Sequence, residues 1–139
     1  MDSLLEFYEL LAEDRQLSLR RDGVASVEGN RLMLHRAIAN LLSNALKHAA
    51  AGSEVQVRLH EDGGRCRVSV HNAGAPIATE ALPRLFDRFY RGERGRHEGA
   101  GLGTAITRAI AQAHGGTVSV ASDETGTVFE LVLPSASAR

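Results

Sequence analysis

Asn40-Leu41-Leu42-Ser43-Asn44-Ala45-Leu46-Lys47-His48 reads as the second half of a long helix with two unlike faces. At about 100° per residue, Leu34, Ile38, Leu41, Leu42, Ala45 and Leu46 fall on one side. Arg36, Asn40, Asn44 and Lys47 recur at i, i+4, i+8 and i+11 on the other, with His48 beside them. Such a stripe is ordinarily a solvated face. Its composition argues against that here, because solvated faces are built from Glu, Lys, Gln or Ala. Asn is a mediocre helix former whose amide competes for backbone partners. Two Asn one turn apart followed by Lys read as ligands. Asn30 caps this helix, which is expected to reach about residue 49 and stop near Gly52.

Outward from the helix, the pattern alternates between periods of 3.6 and 2. Leu4, Leu5, Tyr8 and Leu11 mark an N-terminal helix over residues 2–14. Short strands are expected at 17–21 and 24–28 around Asp22-Gly23, and at 54–60 and 65–71 around Asp62-Gly63-Gly64, a hairpin signature. A short helix near 79–85 precedes a stretch at 91–100 rich in Gly, Arg and Glu, expected to be a mobile loop. A helix over 102–114 ends at Gly115-Gly116, and strands at 117–121 and 127–133 flank Thr125-Gly126. The order α-β-β-α-β-β-α-α-β-β predicts a two-layer α+β sandwich. Its sheet is mixed and mostly antiparallel, covered on one face by about three helices.

Length and composition bound the function. The 139 residues suit one domain, spanning 1–139, and contain 43% hydrophobic and 24% charged residues. A formal net charge of −1 argues against nucleic acid as the main partner. The single cysteine, Cys66, rules out an internal disulfide and reads as a small buried thiol in a strand. The six histidines lack zinc-ligand spacing, and no apolar run reaches membrane-spanning length. The expectation is a cytoplasmic domain without membrane contact.

Two glycine-rich stretches follow the asparagine helix: His71-Asn72-Ala73-Gly74-Ala75-Pro76 and Gly99-Ala100-Gly101-Leu102-Gly103. The first closes a strand, where Gly74 either makes a turn or lets backbone approach a ligand closely. The second leads into a helix, where backbone N–H groups and the dipole favour anionic oxygens. It is not a Walker A loop, since no GKS or GKT follows, and not a Rossmann turn, since it does not open the first βα unit. Between them runs Phe86-Asp87-Arg88-Phe89-Tyr90-Arg91. In this order and spacing the three motifs resemble the N, G1 and G2 boxes, with an F box between, of the ATP-binding fold shared by sensor histidine kinases, gyrase, Hsp90 and MutL. Asn72-x-Gly74-x-Pro76 and the Leu82–Arg91 segment resemble the heavy-metal-responsive, copper- and silver-type branch of sensor kinases.

The resemblance implies ATP and Mg²⁺ as cofactors. An amide oxygen is a hard neutral donor able to hold Mg²⁺ beside phosphate oxygens, and Asn44 matches the family's metal ligand, with Asn40 its preceding partner. Lys47 matches the phosphate-contacting base, and the ring of His48 could pack near base or ribose. Asn72 stands where most of the family has an Asp that accepts from the adenine amine. The amide oxygen can still accept, without charge assistance. Gly74, Ala75, Gly99, Gly101, Leu102 and Gly103 would line the nucleotide. Phe86 and Phe89 would anchor a lid from which Arg91 reaches phosphate, while Arg94 and Arg96 are either lid contacts or solvated charges. Gly126-Thr127 resembles the third glycine motif, and Thr127 is equally a strand residue or a ligand contact.

The implied function is that of a sensor-kinase catalytic domain donating the γ-phosphoryl group of Mg·ATP to a histidine on a separate dimerisation domain, and so indirectly serving a response regulator. No histidine here has the acceptor's context, so the isolated domain is expected to be unable to phosphorylate itself; it is expected to be monomeric because, by the resemblance, dimerisation belongs to a separate helical domain. Three alternatives share the motifs. A stand-alone anti-sigma-type serine kinase has this length, but the phenylalanine box and long arginine lid favour the sensor kinase. Gyrase- and Hsp90-like hydrolases carry a Glu four residues before the metal-binding Asn, where this chain has Asn40. A non-catalytic nucleotide-binding interaction domain would explain Asn72 as decay.

Overall fold

The computed structural model describes residues 2–14, 17–23, 31–74 and 100–134. They form α1 (Asp2–Asp14), β1 (Ser18–Asp22), α2 (Arg31–His48), β2 (Glu54–Asp62), β3 (Arg65–Asn72), α3 (Ala100–Ala113), β4 (Thr117–Asp123) and β5 (Gly126–Pro134). The five strands lie in the order β1-β2-β3-β5-β4. β1 runs parallel to β2 and the other pairs are antiparallel, the mixed sheet that the motif order predicts. The anticipated strand at 24–28 and the helix at 79–85 lie outside the described residues.

Alternation turns one side of each inner strand inward. Val55, Val57 and Leu59 of β2, Cys66, Val68 and Val70 of β3, and Phe129, Leu131 and Leu133 of β5 are buried. They join one cluster with Tyr8 and Ala12 of α1, Leu34, Ala37, Ile38, Leu41, Leu42, Ala45 and Leu46 of α2, and Ile110 and Ala111 of α3. The three helices therefore cover a single face, and the apolar set read from the α2 periodicity is its buried face. The opposite sheet face carries a charged ladder in which Arg67 pairs with Glu130 at 3.3 Å.

Local chemistry sets the boundaries. Asp62 and Arg65 face each other across the two-residue Gly63-Gly64 loop, whose φ values of 59° and 77° fit the hairpin turn matching strand twist. α3 closes with Gly116 N–H donating to Ala111 O (2.8 Å) and Gly115 N–H to Gln112 O (3.1 Å), the paired bonds of a Schellman cap. Its start differs from the expectation. The helix begins at Ala100, two residues before the anticipated Leu102, so Gly101, Leu102 and Gly103 lie inside its first turn. Helix propensity disfavours glycine there by about 1 kcal/mol each, but the following apolar face is buried against α2 and the sheet. Tertiary packing outweighs the local cost. Asp123 shows the same local control: its carboxylate accepts from Thr125 N–H (2.8 Å) and Thr125 Oγ1 (2.6 Å) in the β4–β5 turn. Those bonds hold its pKa below the ordinary carboxylate value.

Candidate functional site

The register aligns inward-facing residues of neighbouring strands into rows. Two rows are apolar over the inner strands: Val57–Val70–Phe129–Val120 and Leu59–Val68–Leu131–Val118. The row at one end runs Leu19–Val55–Asn72–Thr127–Ser122 and turns polar halfway along. Asn72 is 3% exposed and Thr127 5% exposed. Thr127 Oγ1 and Ser122 Oγ lie 2.9 Å apart, and Asn72 Nδ2 donates to Ala73 O at 3.3 Å. A core that changes from Val and Leu to Asn, Thr and Ser on one side of the sheet is poor packing design. It fits a place where a polar ligand meets the interior.

The end of α2 is stitched to this corner. Ala50 N–H donates to Ala73 O (2.8 Å). A Cβ on Gly74 would fall 2.6 Å from His48 O and 3.5 Å from Asn72 Nδ2. Gly74 therefore serves the protein's own packing, letting the strand exit pass against the helix terminus. Gly126 does the same from the other side. Its φ is 135°, and a Cβ there would lie 2.2 Å from Asn72 O and 3.0 Å from Ala73 Cα. The glycines bracket Asn72, so the third glycine motif and the first meet at one residue.

Along α2, exposure grades toward this corner. Ala37 is fully buried beside α3, where Thr107 Oγ1 approaches Ala37 O at 3.5 Å. Asn44, two turns on and within about 20° of the same azimuth, is half-buried, as is Asn40; Lys47 and His48 are exposed. Both amides are thus partly covered, on the stripe opposite the apolar face that the helical period predicts. The helical period locates a face correctly but cannot see a second helix resting against its flank.

Of the residues anticipated for ligand binding, Asn40, Asn44, Lys47 and His48 lie on one helix whose end meets Asn72 and Gly74, and Thr127 pairs with Asn72 across the sheet. Gly101, Leu102 and Gly103 occupy the first turn of α3, one turn before Thr107. Ala75, Arg91 and Gly99 lie outside the described residues. Ser122 and Thr107 were not anticipated. Each is a polar residue at a position where its element's period demands an apolar one, and that mismatch was the available signal. Cys66 is buried as expected; burial pushes its thiol pKa up, with the Glu61 carboxylate adding to the effect. No helix among the described residues is long and apolar enough to cross a membrane.

The strand order and the one-sided helical layer define a two-layer α/β sandwich whose sheet turns polar at one end. Residues 29–137 match the histidine kinase-, DNA gyrase B- and HSP90-like ATPases, and the chain belongs to that family as an ATP-binding domain of the sensor histidine kinase type. The sensor histidine kinase CusS of Escherichia coli K12 is 49% identical over 135 residues, covering 94% of this chain and 28% of that protein. The mycobacterial sensor histidine kinase MprB superposes with a TM-score of 0.83 at 30% identity, covering 96% of this chain and 92% of that one. Full-length ShkA, solved in complex with AMPPNP, gives 0.81 at 28% identity, with 97% of this chain and 29% of that one covered. The chain thus spans little more than a quarter of the CusS length.

Proposed function

We propose that this domain binds Mg·ATP and donates the γ-phosphoryl group to a histidine on the dimerisation domain of a larger sensor kinase, which in turn serves a response regulator. The observation that carries the reading is the junction of the polar sheet end with the helix bearing Asn40, Asn44 and Lys47. A base can meet Asn72 and Thr127 while phosphates extend along α2 toward the first turn of α3. The AMPPNP held by ShkA supports a triphosphate in this fold.

The donor set suits the metal. Asn44 is a neutral oxygen donor at a half-exposed margin, with Asn40 one turn away, and Mg²⁺ favours oxygen ligands shared with substrate phosphates over an all-protein cage. Bound there, Mg²⁺ would supply charge neutralisation to the phosphates. The chain's own residues position the nucleotide. Lys47 offers a point charge to phosphate. His48 stands by the base or ribose, Gly101 and Gly103 present backbone amides at a helix N-terminus with Leu102 between them, and Gly99 is the glycine that opens this motif in the sequence. By the resemblance, Ala75 belongs to the same nucleotide-lining motif as Gly74, and Arg91 supplies charge to the phosphates. Phosphoryl transfer requires chiefly this positioning and neutralisation. No carboxylate occupies the residue-40 position from which a water would be activated, favouring transfer over hydrolysis. The similarity to the copper- and silver-type branch supports a role in heavy-metal signalling.

The test is Mg²⁺-dependent ATP titration of this chain and of Asn44→Ala. Metal-dependent binding should be largely lost in the variant with its circular dichroism intact. Equal affinity in both would remove Asn44 from the site, and an acid-labile phosphohistidine on the isolated chain would contradict the need for a separate acceptor.

A further inference from the structure

We infer that Ser122 is a positioning residue of the nucleotide site, a β4 hydroxyl that holds the Thr127 side chain in a single rotamer beside Asn72. The inference rests on the nucleotide reading above and extends it to a residue outside the asparagine and glycine motifs. Ser122 pairs with Thr127 between β4 and β5, and Thr127 pairs with Asn72 between β5 and β3. The two hydroxyls lie 2.9 Å apart, and Thr127 is 5% exposed. A threonine is ambiguous at such a place, because rotation about χ1 by one staggered well exchanges its hydroxyl for its methyl. Without a partner, Thr127 could offer either group to the polar end of the sheet. The bond to Ser122 removes that choice by turning Oγ1 toward β4. A hydroxyl has one donor and two acceptor positions. With one of them used on Ser122, the others point in fixed directions, and a ligand meets them without having to order them on binding.

Burial of apolar surface gives no reason for a hydroxyl at position 122. The preceding inward residues of β4 are Val118 and Val120, both packed against the core, and a third β-branched apolar residue would continue that surface. The turn that follows is held by other groups. Asp123 accepts from Thr125 N–H and Oγ1, and the strand pair closes at Asp123 and Gly126. Ser122 instead bonds across the ladder, to a residue whose other neighbour is Asn72. It stands on the edge strand, one strand further from Asn72 than Thr127 does. Its effect on binding therefore passes through Thr127, which makes that effect separable from a general change in stability.

The experiment measures Mg·ATP affinity by titration calorimetry on the whole 139-residue chain and on Ser122→Thr and Ser122→Val. These two side chains have nearly the same shape and both suit a strand, so the variants differ chiefly in the hydroxyl. Ser122→Thr should bind ATP within about twofold of the unmodified chain, and Ser122→Val about three- to tenfold more weakly, the worth of one hydrogen bond. Thr127→Val alone should show a loss of the same size. Adding Ser122→Val to Thr127→Val should then change the affinity by less than about twofold, because the group that Ser122 orients is already gone. Equal affinities of Ser122→Thr and Ser122→Val overturn the inference while leaving the nucleotide site standing. So does a Thr127→Val chain that binds as the unmodified one, or a Ser122→Val loss undiminished in the Thr127→Val background. Absence of saturable ATP binding by the unmodified chain overturns the nucleotide reading itself. Should Ser122→Val unfold, Ser122→Ala takes its place with the same expected losses and the same refuting results.

Discussion

Replacing Gly74 with alanine tests whether the junction between α2 and the polar sheet end is built as tightly as the distances imply. The new methyl would lie 2.6 Å from His48 O, and ordinary van der Waals contact begins near 3.4 Å, so about 0.8 Å must be found. The obstacle is backbone at the end of a packed helix, which cannot swing aside as a side chain can. Gly74 does not have a positive φ, so the penalty is steric and not conformational. Overpacking of this kind costs about 1–3 kcal/mol. The displacement also stretches the Ala50 N–H to Ala73 O bond, adding about 1 kcal/mol if it is lost. A domain of this size loses roughly 3–5 °C of Tm per kcal/mol, which makes a fall of roughly 3–20 °C by differential scanning calorimetry. Because Ala73 and Asn72 move with the loop, ATP affinity should fall as well. A Gly74→Ala protein with unchanged Tm and unchanged ATP affinity would refute the reasoning, since it would mean that strand exit and helix end part at no cost.

Three further perturbations probe the fold around the site. Phe129→Ala empties the largest fully buried side chain of β5 and should cost about 3–5 kcal/mol in urea unfolding, with the m-value unchanged. Asp123 has a folded pKa below its unfolded value because it accepts from Thr125. Its contribution is present above the unfolded value near 3.8 and is lost as pH falls through the lower folded one. Asp123→Ala should flatten the Tm profile on the acid side and leave the profile's shape above pH 6 unaltered. Cys66 is buried with its pKa raised above 9.0. Its thiol should react with a disulfide reagent only as fast as the domain opens, and its contribution to stability, complete below pH 9, should be lost as pH rises through the folded pKa. Rapid labelling of the native protein at neutral pH would contradict that burial.

Much of the architecture was legible in the sequence because it is written in short periods. The α2 stripe, the alternation of β2, β3 and β5, and the Gly63-Gly64 turn each depend on neighbours within four residues, and the chain obeys them. The motif order also carried the family, since Asn44, Asn72 and Gly101 hold their spacing whatever lies between them. Contacts between distant segments were not readable in this way. No local pattern says that β1 runs parallel to β2, or that β4 takes the edge beyond β5. None says that Asn72, Thr127 and Ser122 share a row, because register is settled by burying one face of all the strands at once. Gly74 illustrates the division. Its place in a glycine motif suggested room for a ligand, whereas the atom that needs the room is the carbonyl of His48, brought there by the packing of α2 on the sheet. Residue chemistry and spacing determined which groups are available; long-range packing, which satisfies the whole core together, decided which of them meet.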